Sequence, residues 1–128
     1  MKLTTAGLLC LAAAAALTVT GCDSRATLTP GMAVEAFEQQ PDLPVTNPAD
    51  ATSEKCTPEI PCTEAIQADE IAVYRFESKE EAANLARLLG GNGYQSNWIV
   101  LEYEGAAADT DRSKASYAST IDGMWSSD

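Results

Sequence analysis

The stretch that decides the fold is residues 70–104, which read EIAVYRFESKEEAANLARLLGGNGYQSNWIVLEYE. Its two ends, residues 70–77 and 97–104, are rich in β-branched and aromatic residues that alternate between two faces, as is typical of β-strands. Both ends are strongly apolar at their centres. We therefore expect two central strands, each covered by a helix on at least one face.

The segment between these strands predicts a helix over residues 79–89. Ser78 and Glu81 match a capping box, in which each side chain accepts a hydrogen bond from the backbone N–H of the other residue. Gly90 stands where a helix end often needs positive φ. One apolar stripe follows from the helical spacing of Ala82, Leu85, Ala86 and Leu89. Strand, helix and strand in this order predict a βαβ-like crossover, which is right-handed if the strands are parallel.

Residues 110–122 predict a C-terminal helix, because Lys114, Tyr117 and Ile121 recur along one side of it. Trp125, just beyond, is expected to fold back onto the sheet. Together these elements predict an α+β fold in two layers: a short sheet built around the two strands, the helix at 79–89 packed on it, and the C-terminal helix.

Two cysteines stand at the entrance to this domain, which we expect to span residues 55–128. Cys56 and Cys62 enclose a short loop that contains two prolines. An even pair of cysteines in an oxidising compartment favours a disulfide. A zinc site is disfavoured because the chain has no histidine and no second cysteine pair.

Residues 22–54 predict a flexible tether. They contain four prolines, many small polar residues and no sustained apolar periodicity. Within them, residues 31–40 could form a two-turn helix, which alone is too short to be stable in water. Whether this helix docks on the domain stays open at this point.

The first 22 residues have the parts of an export signal: Lys2, an apolar run from Leu8 to Leu17, and small residues before Cys22. The apolar run is shorter than the ~20 residues that a membrane-spanning helix needs. Val19-Thr20-Gly21-Cys22 resembles the lipobox of bacterial lipoproteins. The resemblance implies that residues 1–21 are removed as a signal peptide and that Cys22 carries the lipid. The other interpretation is an ordinary signal peptide that leaves Cys22 as a thiol.

The charge of the chain limits its partners. Lys2 is the one basic residue before Cys22, so the chain from Cys22 onward carries seven Lys and Arg against 19 Asp and Glu, a formal charge of −12. Nucleic acid is therefore excluded as a partner, because its phosphates require basic patches. We expect the charge to keep the domain soluble and to hold it off an anionic lipid surface.

Residues that carry catalytic chemistry are scarce. Without histidine, Ser-His and Cys-His catalysis is excluded. Glu102 and Glu104 share one strand face, as a glycosidase pair could, although a solvent-facing role is the commoner one. Asp109 and Asp111 begin like a calcium loop, but the required glycine and final glutamate are missing, which favours a helix N-cap region. We expect no catalytic residue, no metal and no cofactor.

The aromatic residues offer a different kind of site. Trp98 and Trp125 are the candidates for contact with a sugar, peptide or protein, because aromatic rings on an open surface bind such partners. The order of strand, Ser78 to Leu89, Gly93-Tyr94 and strand also resembles half of a SPOR domain, a cell-wall glycan-binding module with a ferredoxin-like layout. About 35 residues carry this resemblance, and no binding residue is transferred from it.

These observations predict a lipoprotein held by Cys22 at the extracytoplasmic face of the bacterial cell membrane. We expect a non-enzymatic interaction or accessory module with an envelope-protein partner. The alternative is a module that binds cell-wall glycan or a small ligand, and a hydrolase that uses carboxylates ranks third.

Overall fold

The computed structural model describes residues 28–126. The predictions for the signal segment and Cys22 lie outside the described residues. The described helices and strands are, in chain order, α1 (Pro30–Glu38), β1 (Ala49–Asp50), α2 (Thr52–Lys55), β2 (Glu64–Gln67), β3 (Ile71–Arg75), α3 (Lys79–Leu89), β4 (Gly93–Ser96), β5 (Ile99–Tyr103) and α4 (Asp111–Ser126).

The fold is α+β, as predicted. Five strands form one sheet in the order β1-β2-β3-β5-β4, and each neighbouring pair is antiparallel. The two strands expected from the sequence are the central β3 and β5, and α3 and α4 lie where helices were predicted. The side chain of Ser78 accepts from the backbone N–H of Glu81, as the predicted capping box requires, and the Glu81 carboxylate accepts from the Ser78 hydroxyl.

The connection between the central strands differs from a simple crossover. β3 and β5 are adjacent but antiparallel, with Val73 opposite Leu101. The chain leaves α3 into β4, turns through Asn97 and Trp98, and returns as β5. β3 and β4 therefore run in the same direction with β5 between them. The prediction missed β4 because its sequence, GYQS, has no β-branched residue.

Helices cover both faces of the sheet. Ala72, Tyr74 and Val100 pack against α3, whereas Val73 and Leu101, on the opposite face, share a core with residues of α1 and α4. The helices and sheet thus form three layers where two were predicted. The additional layer arises because α1 joins α4 on the face opposite α3.

The flexible tether predicted for residues 22–54 is wrong for residues 28–54, which belong to the domain. Thr29 caps α1, its side chain accepting from the backbone N–H of Met32 at 3.2 Å. Ala33 and Phe37 are fully buried. Burial of a side chain such as Phe37 contributes about 1.5–3 kcal/mol, which offsets the weak intrinsic stability of so short a helix. The rest of the predicted tether, residues 22–27, lies outside the described residues.

The cysteine loop closes the α3 face of the sheet. Cys56 and Cys62 are at disulfide geometry, with their Cα atoms 4.9 Å apart. Cys62 is buried in the same core as Phe76 and Leu85, and Ile60 packs against that core. The loop therefore fastens the chain that follows α2 to the helix on this face.

Candidate functional site

Trp98 and Trp125, the two aromatic residues expected to bind a partner, meet in the structure. Trp98 lies in the turn between β4 and β5, and Trp125 lies in the last turn of α4. Their ring centroids are 5.5 Å apart and their planes are tilted by 52°. Both side chains are half-buried. The sequence identified each residue but gave no indication of their contact, because that depends on how α4 crosses the sheet.

Polar groups surround this aromatic pair. The indole N–H of Trp125 donates to the hydroxyl oxygen of Ser96 at 2.8 Å, and the Ser96 hydroxyl donates to Asp122 at 2.6 Å. The ammonium group of Lys79 lies 5.1 Å from the centroid of the Trp98 ring. We refer to Lys79, Ser96, Trp98, Asp122 and Trp125 as the tryptophan cluster. Sequence reasoning missed its polar members, which come from three separate elements and share no motif.

Tyr94 extends the cluster along β4. Its hydroxyl donates to the second carboxylate oxygen of Asp122. That hydrogen bond, together with burial and the charge of Asp122, raises the pKa of Tyr94 to about 12. Asp122 therefore accepts from two hydroxyl groups while it is itself exposed. Apolar rings with a polar rim suit contact with a surface that is itself partly apolar and partly polar.

Glu102 and Glu104 each accept a hydrogen bond from a different side chain. The hydroxyl of Tyr74 donates to Glu102 at 2.5 Å, and the side-chain amide of Gln67 donates to Glu104. Burial and the bond to Glu102 raise the pKa of Tyr74. Glu102 accepts from a tyrosine of the adjacent strand β3, whereas Glu104, one residue beyond β5, accepts from a glutamine of β2. These hydrogen bonds tie β5 and the residue after it to β3 and β2.

We next consider the described acidic residues around α4 as a possible metal site. Within residues 28–126, no group of three or more His, Cys, Asp or Glu side chains could hold a metal ion. Thr110, between Asp109 and Asp111, accepts from the backbone N–H of Ser113 at 3.2 Å. This agrees with the N-cap region expected there.

A small apolar cleft lies between α3 and the cysteine loop. Leu88 is 78% exposed at its edge, although it is a large hydrophobic residue. The cleft encloses about 60 Å³, and we call it the leucine cleft. Its lining consists of Glu59, Ile60, Pro61, Phe76, Glu81, Asn84, Leu85 and Leu88. The one signal for it in the sequence is that Leu88 lies beside, and not within, the apolar stripe of α3.

A wider groove runs between α4 and the segment that follows α1. It encloses about 440 Å³ and is lined by Gln40, Pro41, Asp42, Leu43, Arg112, Ala115, Ser116, Ser119 and Thr120. Small hydroxyl side chains make up most of its α4 wall. Leu43, its one large apolar lining residue, is buried, so the groove has no exposed large hydrophobic side chain comparable to Leu88.

None of the helices in residues 28–126 is both long and apolar enough to cross a membrane. In comparisons with protein-family models, with curated proteins and with solved structures, the chain matches none. The site must therefore be interpreted from its own geometry.

Proposed function

We propose that this protein is a lipid-anchored extracytoplasmic lipoprotein whose domain binds an envelope protein and has no catalytic activity of its own. The resemblance of residues 19–22 to a lipobox supports lipid attachment at Cys22. The disulfide geometry of Cys56 and Cys62 agrees with an oxidising compartment. Lipid chains on Cys22 would hold the domain at the membrane, since each buried CH₂ contributes about 0.8 kcal/mol.

The observation that carries the binding role is the leucine cleft. One exposed leucine on a surface is ordinary. Leu88, however, borders a cleft lined by Ile60 and Leu85, so one apolar side chain of a partner would contact all three residues. Burial of Leu88 alone would contribute about 1.5–3 kcal/mol. Glu59 and Glu81 line the same cleft, which favours a partner with basic residues around its apolar anchor.

Site-specific cross-linking tests this role. A photoreactive amino acid replaces Leu88 in the full-length protein in cells, and a matched protein carries it at Asp109, an exposed position away from the cleft. We expect one discrete adduct from position 88 and none from position 109. Leu88→Ser should then weaken binding of the adduct protein about 10- to 100-fold, without loss of folding, because Leu88 is exposed.

Two outcomes would overturn the binding role. One is the absence of an adduct at position 88 in cells where the protein is folded and membrane-bound. The other is an adduct protein that binds the Leu88→Ser variant as tightly as the original chain. The alternative function, glycan binding, would depend on Trp98 and Trp125. The position of these two residues in the molecule favours contact with the membrane, as argued below.

A further inference from the structure

We propose that the domain rests on the bilayer through the end of the sheet that carries Trp98 and Trp125, with both indoles in the headgroup region. This inference depends on the proposed lipid at Cys22. It gives the tryptophan cluster a partner, the surface of the anchoring membrane, and it leaves the leucine cleft for a protein.

The first observation is the place where the described chain begins. The carbonyl of Leu28 accepts from the guanidinium of Arg75 at 3.0 Å. Arg75 is the last residue of β3 and lies opposite Ile99, the first residue of β5. The chain from Cys22 therefore joins the domain at the end of the sheet where β3 ends and β5 begins.

The second observation is the length of the connection. Only residues 23–27 separate Cys22 from Leu28. An extended chain spans at most about 3.6 Å per residue, so Leu28 stays within roughly 20 Å of Cys22. The polar headgroup layer on each side of a bilayer is itself about 5–8 Å thick. A lipid on Cys22 thus keeps this end of the sheet close to the membrane, in contrast to the long tether that the sequence predicts.

The tryptophan cluster lies at this same end. Trp98 directly precedes Ile99, and its carbonyl accepts from the backbone N–H of Phe76 at 2.9 Å, one residue beyond Arg75. Trp125 reaches the same place through its contact with Trp98. Lys79, at the start of α3, has its ammonium group near the Trp98 ring.

The chemistry of these side chains suits lipid headgroups. Tryptophan is enriched at membrane–water interfaces, because its ring is apolar while its N–H needs a polar partner. Lys79 can place its ammonium group among phosphates while its methylene chain covers apolar surface. Met32, in the first turn of α1 and 45% exposed, adds a flexible apolar side chain near the chain entry at Leu28.

Charged residues lie at both ends of the sheet. Ile71 pairs with Tyr103 at the opposite end of the sheet, next to Asp69, Glu70 and Glu104. Near the tryptophan cluster, which itself contains Asp122, the basic residues are Arg75 and Lys79, and the other acidic residues are Glu64, Glu77, Glu80 and Glu81. Repulsion between these acids and an anionic bilayer is screened over about 8–10 Å at ordinary ionic strength. The orientation is therefore argued from the indoles and the short connection to Cys22, and not from charge.

Tryptophan fluorescence tests the orientation directly, because Trp98 and Trp125 are the two tryptophans of the whole chain. The lipidated full-length protein is reconstituted into phosphatidylcholine vesicles, with and without bromine on the upper part of the acyl chains. We expect brominated vesicles to quench most of the tryptophan emission that is observed on vesicles without bromine. Single variants, Trp98→Phe and Trp125→Phe, report on each ring.

The matched control moves the fluorophore to the other end of the sheet. The triple variant Trp98→Phe, Trp125→Phe, Asp109→Trp places its one tryptophan in the exposed loop before α4. Its emission should be the same on both kinds of vesicle.

Three outcomes would overturn the inference. Protein that floats with the vesicles but emits equally on both kinds contradicts the orientation and leaves the anchor intact. Protein that does not float contradicts the anchor at Cys22, and with it the orientation. Emission that responds to soluble cell-wall glycan but not to brominated lipid assigns the cluster to glycan.

Discussion

At the scale of single residues, Tyr117 connects α4 to α1 and to the segment that follows α1. The side chain is fully buried, its ring meets Phe37 edge-on at 5.1 Å, and its hydroxyl donates to the carbonyl of Pro44 at 2.6 Å. Tyr117→Phe keeps the ring and removes the hydrogen bond. We expect a loss of about 1 kcal/mol in the free energy of unfolding, measured by urea denaturation. An unchanged midpoint would show that the bond contributes no net stability.

All four tyrosines have raised pKa values in the folded chain, which makes stability depend on alkaline pH. Hydrogen bonding to Asp122 raises the pKa of Tyr94 to about 12, and burial raises that of Tyr117 to about 12, from an ordinary value of 10.0. The unfolded chain therefore loses these protons before the folded chain does. The stabilisation is complete below pH 10 and declines as the pH rises towards 12.

Urea denaturation at several pH values between 10 and 12 measures this decline. Tyr94→Phe removes one titrating group, so its free energy of unfolding should fall less steeply with pH than that of the original chain. Equal slopes for the two proteins would contradict the raised pKa of Tyr94.

Residue roles could be predicted only where they depend on nearby sequence. The cap at Ser78 needs a partner three residues away, and Glu81 supplies it. The Trp98–Trp125 contact and the Tyr117–Phe37 contact join residues that are far apart in the chain, so no local pattern encodes them. For this reason the sequence identified Trp98 and Trp125 as candidates but did not place them together.

At the scale of elements, the close approach of α3 and β4 depends on Gly93. A Cβ atom built at Gly93 would lie 2.6 Å from the Cβ atom of Leu89, closer than real side chains approach. We expect Gly93→Ala to lower the free energy of unfolding by about 1–3 kcal/mol, because helix or strand must shift. Chemical denaturation of the purified domain measures this loss.

Gly91→Ala is the matched control for that substitution. A Cβ atom at Gly91 meets nothing within 4 Å. Its effect should stay within about 0.5 kcal/mol, as for other surface changes. Similar losses from both substitutions would show that the contact between Gly93 and Leu89 is not the cause.

The docking of α1 predicts resistance to proteolysis where the sequence suggests a tether. Phe37 and Leu43 are buried, so a protease should cut residues 30–45 only after the domain unfolds. Phe37→Ala should lower the free energy of unfolding by about 3–5 kcal/mol. Cleavage within residues 30–45 should then occur at lower protease concentrations than in the original chain. Rapid cleavage of the unaltered protein within residues 30–45, with the rest of the domain intact, would contradict the docked helix.

The elements that could be predicted are those that carry their own signal. β3 and β5 have central apolar runs, and α3 has a cap and a stripe, so each is identifiable in isolation. β1 has two residues, and β4 contains glycine, glutamine and serine, so these strands depend on their neighbours for pairing. α1 depends likewise on burial against α4, and the prolines that suggested a tether include its first residue, Pro30.

At the scale of the whole molecule, the docking of residues 28–54 changes the relation between domain and membrane. The sequence suggests an acidic domain held away from the bilayer by a long tether. With α1 in the core and Leu28 fastened to Arg75, a lipid on Cys22 would instead hold the domain close to the bilayer and in a limited range of orientations. The leucine cleft would then be accessible to envelope proteins close to the membrane surface.

The proposed membrane anchor and orientation both depend on the chemical state of Cys22, and intact mass spectrometry of protein extracted from membranes measures that state directly. We predict a chain that begins at Cys22, lacks residues 1–21 and carries the added mass of a diacylglyceryl group and its acyl chains. The Cys22→Ser variant should lack this mass and leave the membrane fraction. A chain that keeps residues 1–21, or one in which Cys22 is an unmodified thiol, would contradict the lipid anchor and the orientation derived from it.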